Sequence, residues 1–273
     1  MPQTINTNVA SINSQRNLSA SQTSLTTSMQ RLTSGLRVNS AKDDAAGLAI
    51  AERMNSQVRG MNVAIRNAND GISLMQTAEG AIGKVGDMLQ RMRELAVQSA
   101  NATNTTDDRA NLDAEFQQLA QEVTRTSLNS KFNGVAVIGS GAASLAYQVG
   151  ANSTDQVSVT TTNAATITST VTAGSITSAA AASTAMSNID TALNAINTER
   201  ALYGAAQNRF EAIISTLQVS AENVTAARGR IMDADFASET ANLSRAQILQ
   251  QAGTAMLAQA NQLPQQVLQL LRG

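Results

Sequence analysis

The sequence predicts a mainly α protein: an elongated antiparallel helical bundle or coiled coil folded back on itself, with a small β-hairpin in its middle. Three observations predict it. Two long stretches carry apolar residues on alternating steps of three and four, the period changes to two only around residues 135–162, and the helical stretches are mirror-symmetric about Gly150. Composition agrees, because 42% of the 273 residues are hydrophobic while aromatics make up only 2%. Small and aliphatic side chains suit narrow helix-on-helix seams better than a spherical core.

The first helix is expected over about Thr4 to Leu36, with a weak stripe of Ile5, Val9, Ile12, Leu18, Leu25, Met29, Leu32 and Leu36. RVNSAKDD, from Arg37 to Asp44, is polar and turn-rich and reads as a hinge or spoke. From Ala45 the pattern sharpens into a heptad seam of Met54, Val58, Met61, Ile65, Ala68, Ile72 and Met75. It then slips by one short step to Ala78 and continues through Ile82, Val85, Leu89, Met92 and Ala96, which reads as a stammer. A single helix over Ala45 to Ala100 contains Gly60, Gly71, Gly80, Gly83 and Gly86. Each costs about 1 kcal/mol relative to alanine, which burial of several large side chains at ~1.5–3 kcal/mol each offsets.

Thr106 is the expected N-cap of the next helix, with Asp107 and Asp108 at its positive end and Leu112, Phe116, Leu119 and Val123 on its inner face. Asn133-Gly134 marks a turn. Leu145, Tyr147 and Val149, then GANSTD, then Val157, Val159 and Thr161 predict the hairpin. Residues 163–185 are a Ser, Thr and Ala low-complexity stretch expected to be weakly ordered.

A second strong helix follows on Met186, Ile189, Leu193, Ile196, Tyr203, Phe210, Ile214, Leu217, Ala221, Val224 and Ile231. The last helix reads Leu249, Ala252, Met256, Ala260, Leu263, Val267 and Leu270, with Pro264 as a local kink. The strong inner helices are expected to bury their seams within one subunit. The terminal helices are narrow-striped and marginal alone, so they are expected to order against neighbouring copies, and contacts of that kind that do not close build a fibre.

Composition also limits the chemistry. Nineteen basic residues face twenty acidic ones for a net charge of −1, and cysteine and histidine are absent. A nucleic-acid or anionic-membrane partner is therefore disfavoured, as are a thiolate metal site, a thiol nucleophile and a histidine base. No stretch reaches membrane-span or signal-peptide character. Asp43 and Asp44, and Asp107, Asp108, Asp113 and Glu115, lack the ligand spacing of a calcium loop and read as helix caps and solvated faces. No catalysis, cofactor or metal is expected.

At this point longer runs carry a resemblance. INTN at Ile5 to Asn8, RLTSGLRVNSAKDDAAGLAIA from Arg31, RNANDGISLMQTAEGA from Arg66, QRMRELAVQSAN from Gln90 and FNGV at Phe132 are similar to the N-terminal block of bacterial flagellins. QNRFEAII from Gln207 and the run from Arg228 to Arg272 resemble the C-terminal block. The resemblance implies a structural subunit that self-assembles into the extracellular flagellar filament, the motility propeller, after type III export, with an export chaperone on the C-terminal helix. It implies residues 1–44 and 233–273 as an inner-tube domain, 45–232 as a rod domain, and no outer variable domain.

Polymerisation is then expected to use Ile5, Val9, Ile12, Leu25, Met29, Leu32, Leu249, Met256, Leu263, Val267 and Leu270. The partners implied are further copies of the chain and the hook-filament junction and filament cap proteins. The resemblance also implies recognition by a vertebrate Toll-like flagellin receptor through Arg91, Leu95 and Glu115, although Arg91 and Glu115 also read as ion-paired surface groups. A hook-filament junction protein of the same helical plan is the nearest alternative. A helical signalling rod or adhesin and a carboxylate hydrolase are more distant ones.

Overall fold

The computed structural model describes residues 7–139, 144–161 and 163–272, with side chains described up to residue 262. Six helices and two small antiparallel strand pairs occupy these residues, in the order α1 (Val9–Ser34), α2 (Ala45–Ala100), α3 (Thr106–Asn129), β1 (Lys131–Phe132), β2 (Val135–Ala136), β3 (Ser144–Gln148), β4 (Gln156–Thr160), α4 (Ala164–Thr172), α5 (Ala179–Met232) and α6 (Phe236–Arg272). The fold is thus mainly helical with small hairpins, as the periodicity predicts. Contacts divide it into two compact units, Met1–Ser56 with Asn223–Gly273, and Gln57–Glu222; α2 and α5 contribute residues to both.

In the second unit the core runs along α2 and α5, which are antiparallel: Gly71 faces Phe210, Glu79 faces Gln207, Gly86 faces Ile196 and Arg93 faces Asp190. The seam of α2 runs through buried Met61, Ala64, Ala68, Gly71, Met75, Ala78, Ile82, Val85, Leu89, Met92, Ala96 and Ser99, with Leu74 and Leu95 buried beside it. Those steps alternate three and four without a break, so the seam has no stammer. Ile65 and Ile72 lie beside the seam, half-buried, and Ala64 and Gly71 occupy it. The physical reason is the partner: a Cβ on Gly71 would stand 2.9 Å from the Phe210 ring, so the large side chain on α5 fills the hole left by the small one on α2. The seam of α5 likewise runs through Ala182, Ala185 and Ala192 between Ile189, Ile196, Tyr203 and Phe210.

α3 starts one residue earlier than its expected cap. Thr105, not Thr106, is the N-cap, in a capping box with Asp108. Phe116, Ala120 and Val123 carry its buried face. The stretch expected to be weakly ordered folds instead: α4 lies against α3 and buries Ala164, Thr168 and Val171, and Ile176 beyond it is also buried. Composition hides this, because the steps of four and three between 164, 168 and 171 form a helical face out of small and β-branched residues. Asp113 of α3 accepts a hydrogen bond from the Ile176 backbone at 2.7 Å, and Gln117 donates to the Gly174 carbonyl at 2.8 Å.

Asn133 (φ 48°) and Gly134 (φ 83°) form the two-residue turn between β1 and β2, the left-handed pairing for which Asn-Gly is suited. In the β3–β4 hairpin Leu145 pairs with Val159 and Tyr147 with Val157. The Tyr147 ring meets Phe210 edge-on at 5.3 Å, and Asn67 donates to the Gln148 carbonyl at 2.9 Å, fixing the hairpin on α2.

The first unit begins with Asn8, whose side chain caps α1 by accepting from the Ser11 backbone, and α1 ends at Gly35 in the left-handed region (φ 71°). Leu36 bridges Asp233, and the Arg37 guanidinium donates to the Ile231 carbonyl at 2.7 Å. Val38, Ala51 and Met232 are buried together beneath this crossing. Asp43 accepts hydrogen bonds from the Ser40 backbone and hydroxyl and from the Asn39 backbone, which hold its carboxyl below the ordinary value. Asp44 accepts from the Gly47 backbone at the start of α2. Both carboxylates are therefore engaged in the turn. α6 is continuous across Pro264.

Candidate assembly surfaces

α1 and α6 pair closely along their length. The less exposed positions of α1 include Ser11, Ser14, Leu18, Ser21, Leu25, Ser28 and Leu32, with Thr27 and Arg31 beside them, and those of α6 are Glu239, Leu243, Ala246, Gln250, Gly253, Leu257 and Ala260. Both series alternate steps of three and four, as facing coiled-coil seams do. Their residues are mostly small or polar, which lets the backbones approach: a Cβ on Gly253 would lie 3.2 Å from a Leu18 methyl.

Polar bonds lock the pairing at its ends. The Asn8 side-chain amide donates to the Ala260 carbonyl at 2.8 Å, and the Ser11 hydroxyl donates to the Asn261 side chain at 2.8 Å. At the other end the Arg31 guanidinium stands 3.7 Å from the Glu239 carboxylate. Among the described side chains of these two helices, Ala246 and Ala260 are the buried hydrophobic ones. At about 25 cal/mol per Å² such small groups contribute little, so apolar burial in the pair rests mainly on the half-buried Leu18, Leu25, Leu32, Leu243 and Leu257.

The sequence-predicted polymerisation residues separate into three sets. Leu25 and Leu32 lie in the α1–α6 seam, half-buried. Val9, Ile12, Met29, Leu249 and Met256 are exposed, each by more than half: 59%, 55%, 53%, 52% and 59%. Ile5 and the side chains of Leu263, Val267 and Leu270 lie outside the described residues. Two exposed apolar residues of the same helices, Phe236 and Ile248, were not singled out by the stripe, because they sit off its phase. The seam was read only in part, through Leu18, Leu25 and Leu32 on α1 and Ala260 on α6, because the serine, glutamine and glycine between them carry no hydrophobic signal.

A second candidate surface lies on α2 and α3. Arg91 donates to Glu94 at 2.9 Å and to Glu115 at 2.8 Å, and these hydrogen bonds raise its pKa further. Arg91 and Glu115 are exposed, whereas Leu95 is only 1% exposed and belongs to the core. The structure therefore brings Arg91 and Glu115 together at the surface and places Leu95 beneath it. Nearby, Arg93 donates to Asp190 on α5 at 2.6 Å, a bond that lowers the Asp190 pKa. Among the described residues no group of three or more acidic side chains converges as a metal site would require, and no helix is long and apolar enough to cross a membrane.

Comparison with known proteins agrees with this layout. Residues 5–141 match the bacterial flagellin N-terminal helical region, and residues 186–271 match the bacterial flagellin C-terminal helical region. The chain is 46% identical over 270 residues to a flagellin of Halalkalibacterium halodurans, covering 98% of this chain and 99% of that one. Among solved structures, a Bacillus cereus flagellin superposes with a TM-score of 0.52 at 31% identity, over 60% of this chain and 94% of that one. A flagellar hook-associated protein of Vibrio parahaemolyticus shares the fold, with a TM-score of 0.59 at 13% identity over 70% and 100% of the two chains.

Proposed function

The chain belongs to the bacterial flagellin family and is a structural subunit of the flagellar filament, and from that premise we propose that α1 and α6 are its polymerising elements. The observation that carries the proposal is the contrast within these helices. The fully buried positions of their mutual seam are Ser11, Ser28, Glu239, Ala246 and Ala260, with leucines only half-buried between them, while Val9, Ile12, Met29, Leu249 and Met256 are left in solvent. Burying such side chains contributes roughly 1.5–3 kcal/mol each, so copies that cover them supply the stabilisation the isolated pair lacks. Leu25 and Leu32 keep α1 on α6, and Ile5, Leu263, Val267 and Leu270 extend the same stripes.

We place the boundary between an inner assembly domain and a helical rod domain near residues 44 and 233. Support comes from the compact units, whose divisions fall nearby inside α2 and α5. The subunit forms an extracellular filament, which requires export; the reading assigns this to the flagellar type III apparatus, with a chaperone on α6 covering its exposed stripe beforehand. Filament cap and hook-filament junction proteins meet the same helices at the filament's two ends. The role is structural, with no catalytic step. A junction-protein reading is less favoured, because the hook-associated likeness rests on 13% identity whereas the flagellin likeness holds at 46% over nearly the whole chain.

The deciding experiment is elongation of filament seeds by purified subunit. Ile12→Asn and Leu249→Asn should each slow elongation at least about tenfold, one tenfold step being ~1.4 kcal/mol, without altering the far-UV circular dichroism of the rod. Normal elongation by both variants would overturn the reading. For the receptor, the reading makes Arg91 and Glu115 the contacted pair and Leu95 the residue that holds α2 under them.

A further inference from the structure

We propose that Met29 and Met256 are two separate oxidation-sensitive modification sites, at which conversion of the thioethers to sulfoxides before assembly stops a subunit from adding to the filament. The inference rests on the assignment of α1 and α6 as polymerising elements and extends it to a chemical control. Its first support is a division among the methionines. Met61, Met75, Met92 and Met232 are at most 7% exposed, and Met54, Met88 and Met186 are partly buried, whereas Met29 and Met256 are 53% and 59% exposed.

The second support is where the two exposed ones lie. Met29 directly follows the seam residue Ser28, and Met256 directly precedes the seam residue Leu257, so each flanks the α1–α6 contact instead of filling it. Met256 is seven residues beyond Leu249, two helical turns along the same face. Both therefore belong to the apolar surface assigned to neighbouring copies.

The chemistry needs only hydrogen peroxide as oxidant. A sulfur lone pair attacks one peroxide oxygen, the S–O bond forms as the O–O bond breaks, and the second oxygen leaves with both protons as water. Sulfur loses two electrons and the peroxide gains them. The product is a polar, chiral sulfoxide in place of a flexible apolar group, which an apolar contact between copies does not accommodate. Once assembled, the same contact covers both sulfurs. Sensitivity is then confined to the unassembled subunit, and a sulfoxide reductase reverses it.

The test treats purified full-length subunit with graded hydrogen peroxide, maps sulfoxides by mass spectrometry, and measures elongation of untreated seeds. Met29 and Met256 should oxidise before Met61, Met75 and Met92, and elongation should fall at least about tenfold, since lost apolar burial of this size is worth roughly 1.5–3 kcal/mol per side chain. Methionine sulfoxide reductase should restore it. The volume-conserving double variant Met29→Leu, Met256→Leu, measured against its own untreated rate, should lose no elongation after the same dose. Normal elongation by wild-type subunit carrying both sulfoxides would overturn the inference, and so would equal loss in the double variant. If the untreated double variant fails to assemble, the reductase arm decides on wild-type protein alone. Untreated Leu249→Asn separates the premise: if it elongates normally the assembly reading fails, whereas if only the peroxide arm is negative the assembly reading stands and the oxidation site does not.

Discussion

The Phe210 ring occupies the space above Gly71, 2.9 Å from where a Cβ on that glycine would stand. The ring is fully buried and also meets Tyr147 edge-on at 5.3 Å.

Glycines of the same helix should therefore respond to alanine with opposite signs. Gly71→Ala overpacks the seam and should destabilise the protein by about 1–3 kcal/mol. At Gly80 and Gly83 an added Cβ meets nothing within 4 Å, and each alanine should stabilise by ~1 kcal/mol through helix propensity. Thermal unfolding followed at 222 nm, a wavelength reporting helix, gives both signs. A stabilising Gly71→Ala would show that the ring does not hold its place.

The α3 capping box should leave a mark on acid stability. Hydrogen bonds from the Thr105 hydroxyl and backbone hold the Asp108 carboxyl below its ordinary 3.8. With the folded value depressed, the contribution to stability is complete above the ordinary value and is lost as pH falls through the folded one. Asp108→Asn should be less stable than wild type at neutral pH, with the gap closing below about pH 4, near the unperturbed carboxylate range. A gap independent of pH would remove the carboxylate from the cap's energetics.

Close approach of α1 to α6 depends on Gly253, where even a Cβ would lie 3.2 Å from the Leu18 methyl. Gly253→Val should separate the two helices, reduce amide-exchange protection in 11–32 and 243–260, and abolish elongation. Retained protection with normal elongation would mean that the seam tolerates the added bulk.

At the patch proposed for the receptor the two kinds of residue should separate. Arg91→Asp removes the bonds to Glu94 and Glu115 and places a negative charge beside theirs, and it should lower receptor-driven reporter signalling with little change in unfolding midpoint. Leu95→Ala opens a cavity in the core and should cost roughly 2–5 kcal/mol of stability. If Arg91→Asp leaves signalling unchanged, the patch is a surface ion pair and nothing more.

Much of this architecture was legible in the residues. Steps of three and four located α2 and α5, the switch to alternation located β3 and β4 though not their register, and Asn133-Gly134 located a turn. Phase within the helices was harder to read. Ile65 and Ile72 drew the α2 stripe away from Ala64 and Gly71, and Leu249 and Met256 drew the α6 stripe away from Ala246 and Gly253. Helix α4 was lost in the Ser, Thr and Ala composition of its stretch.

By itself, the sequence determined that long helices exist, in what order they follow, and which large apolar side chains they carry, because periodicity is a local property of the chain. Only tertiary structure decided which of two adjacent stripes meets a partner inside the subunit and which stays in solvent. That choice depends on how closely two backbones approach, and close approach favours Gly, Ala and Ser, whose side chains leave almost no mark in a hydrophobic pattern.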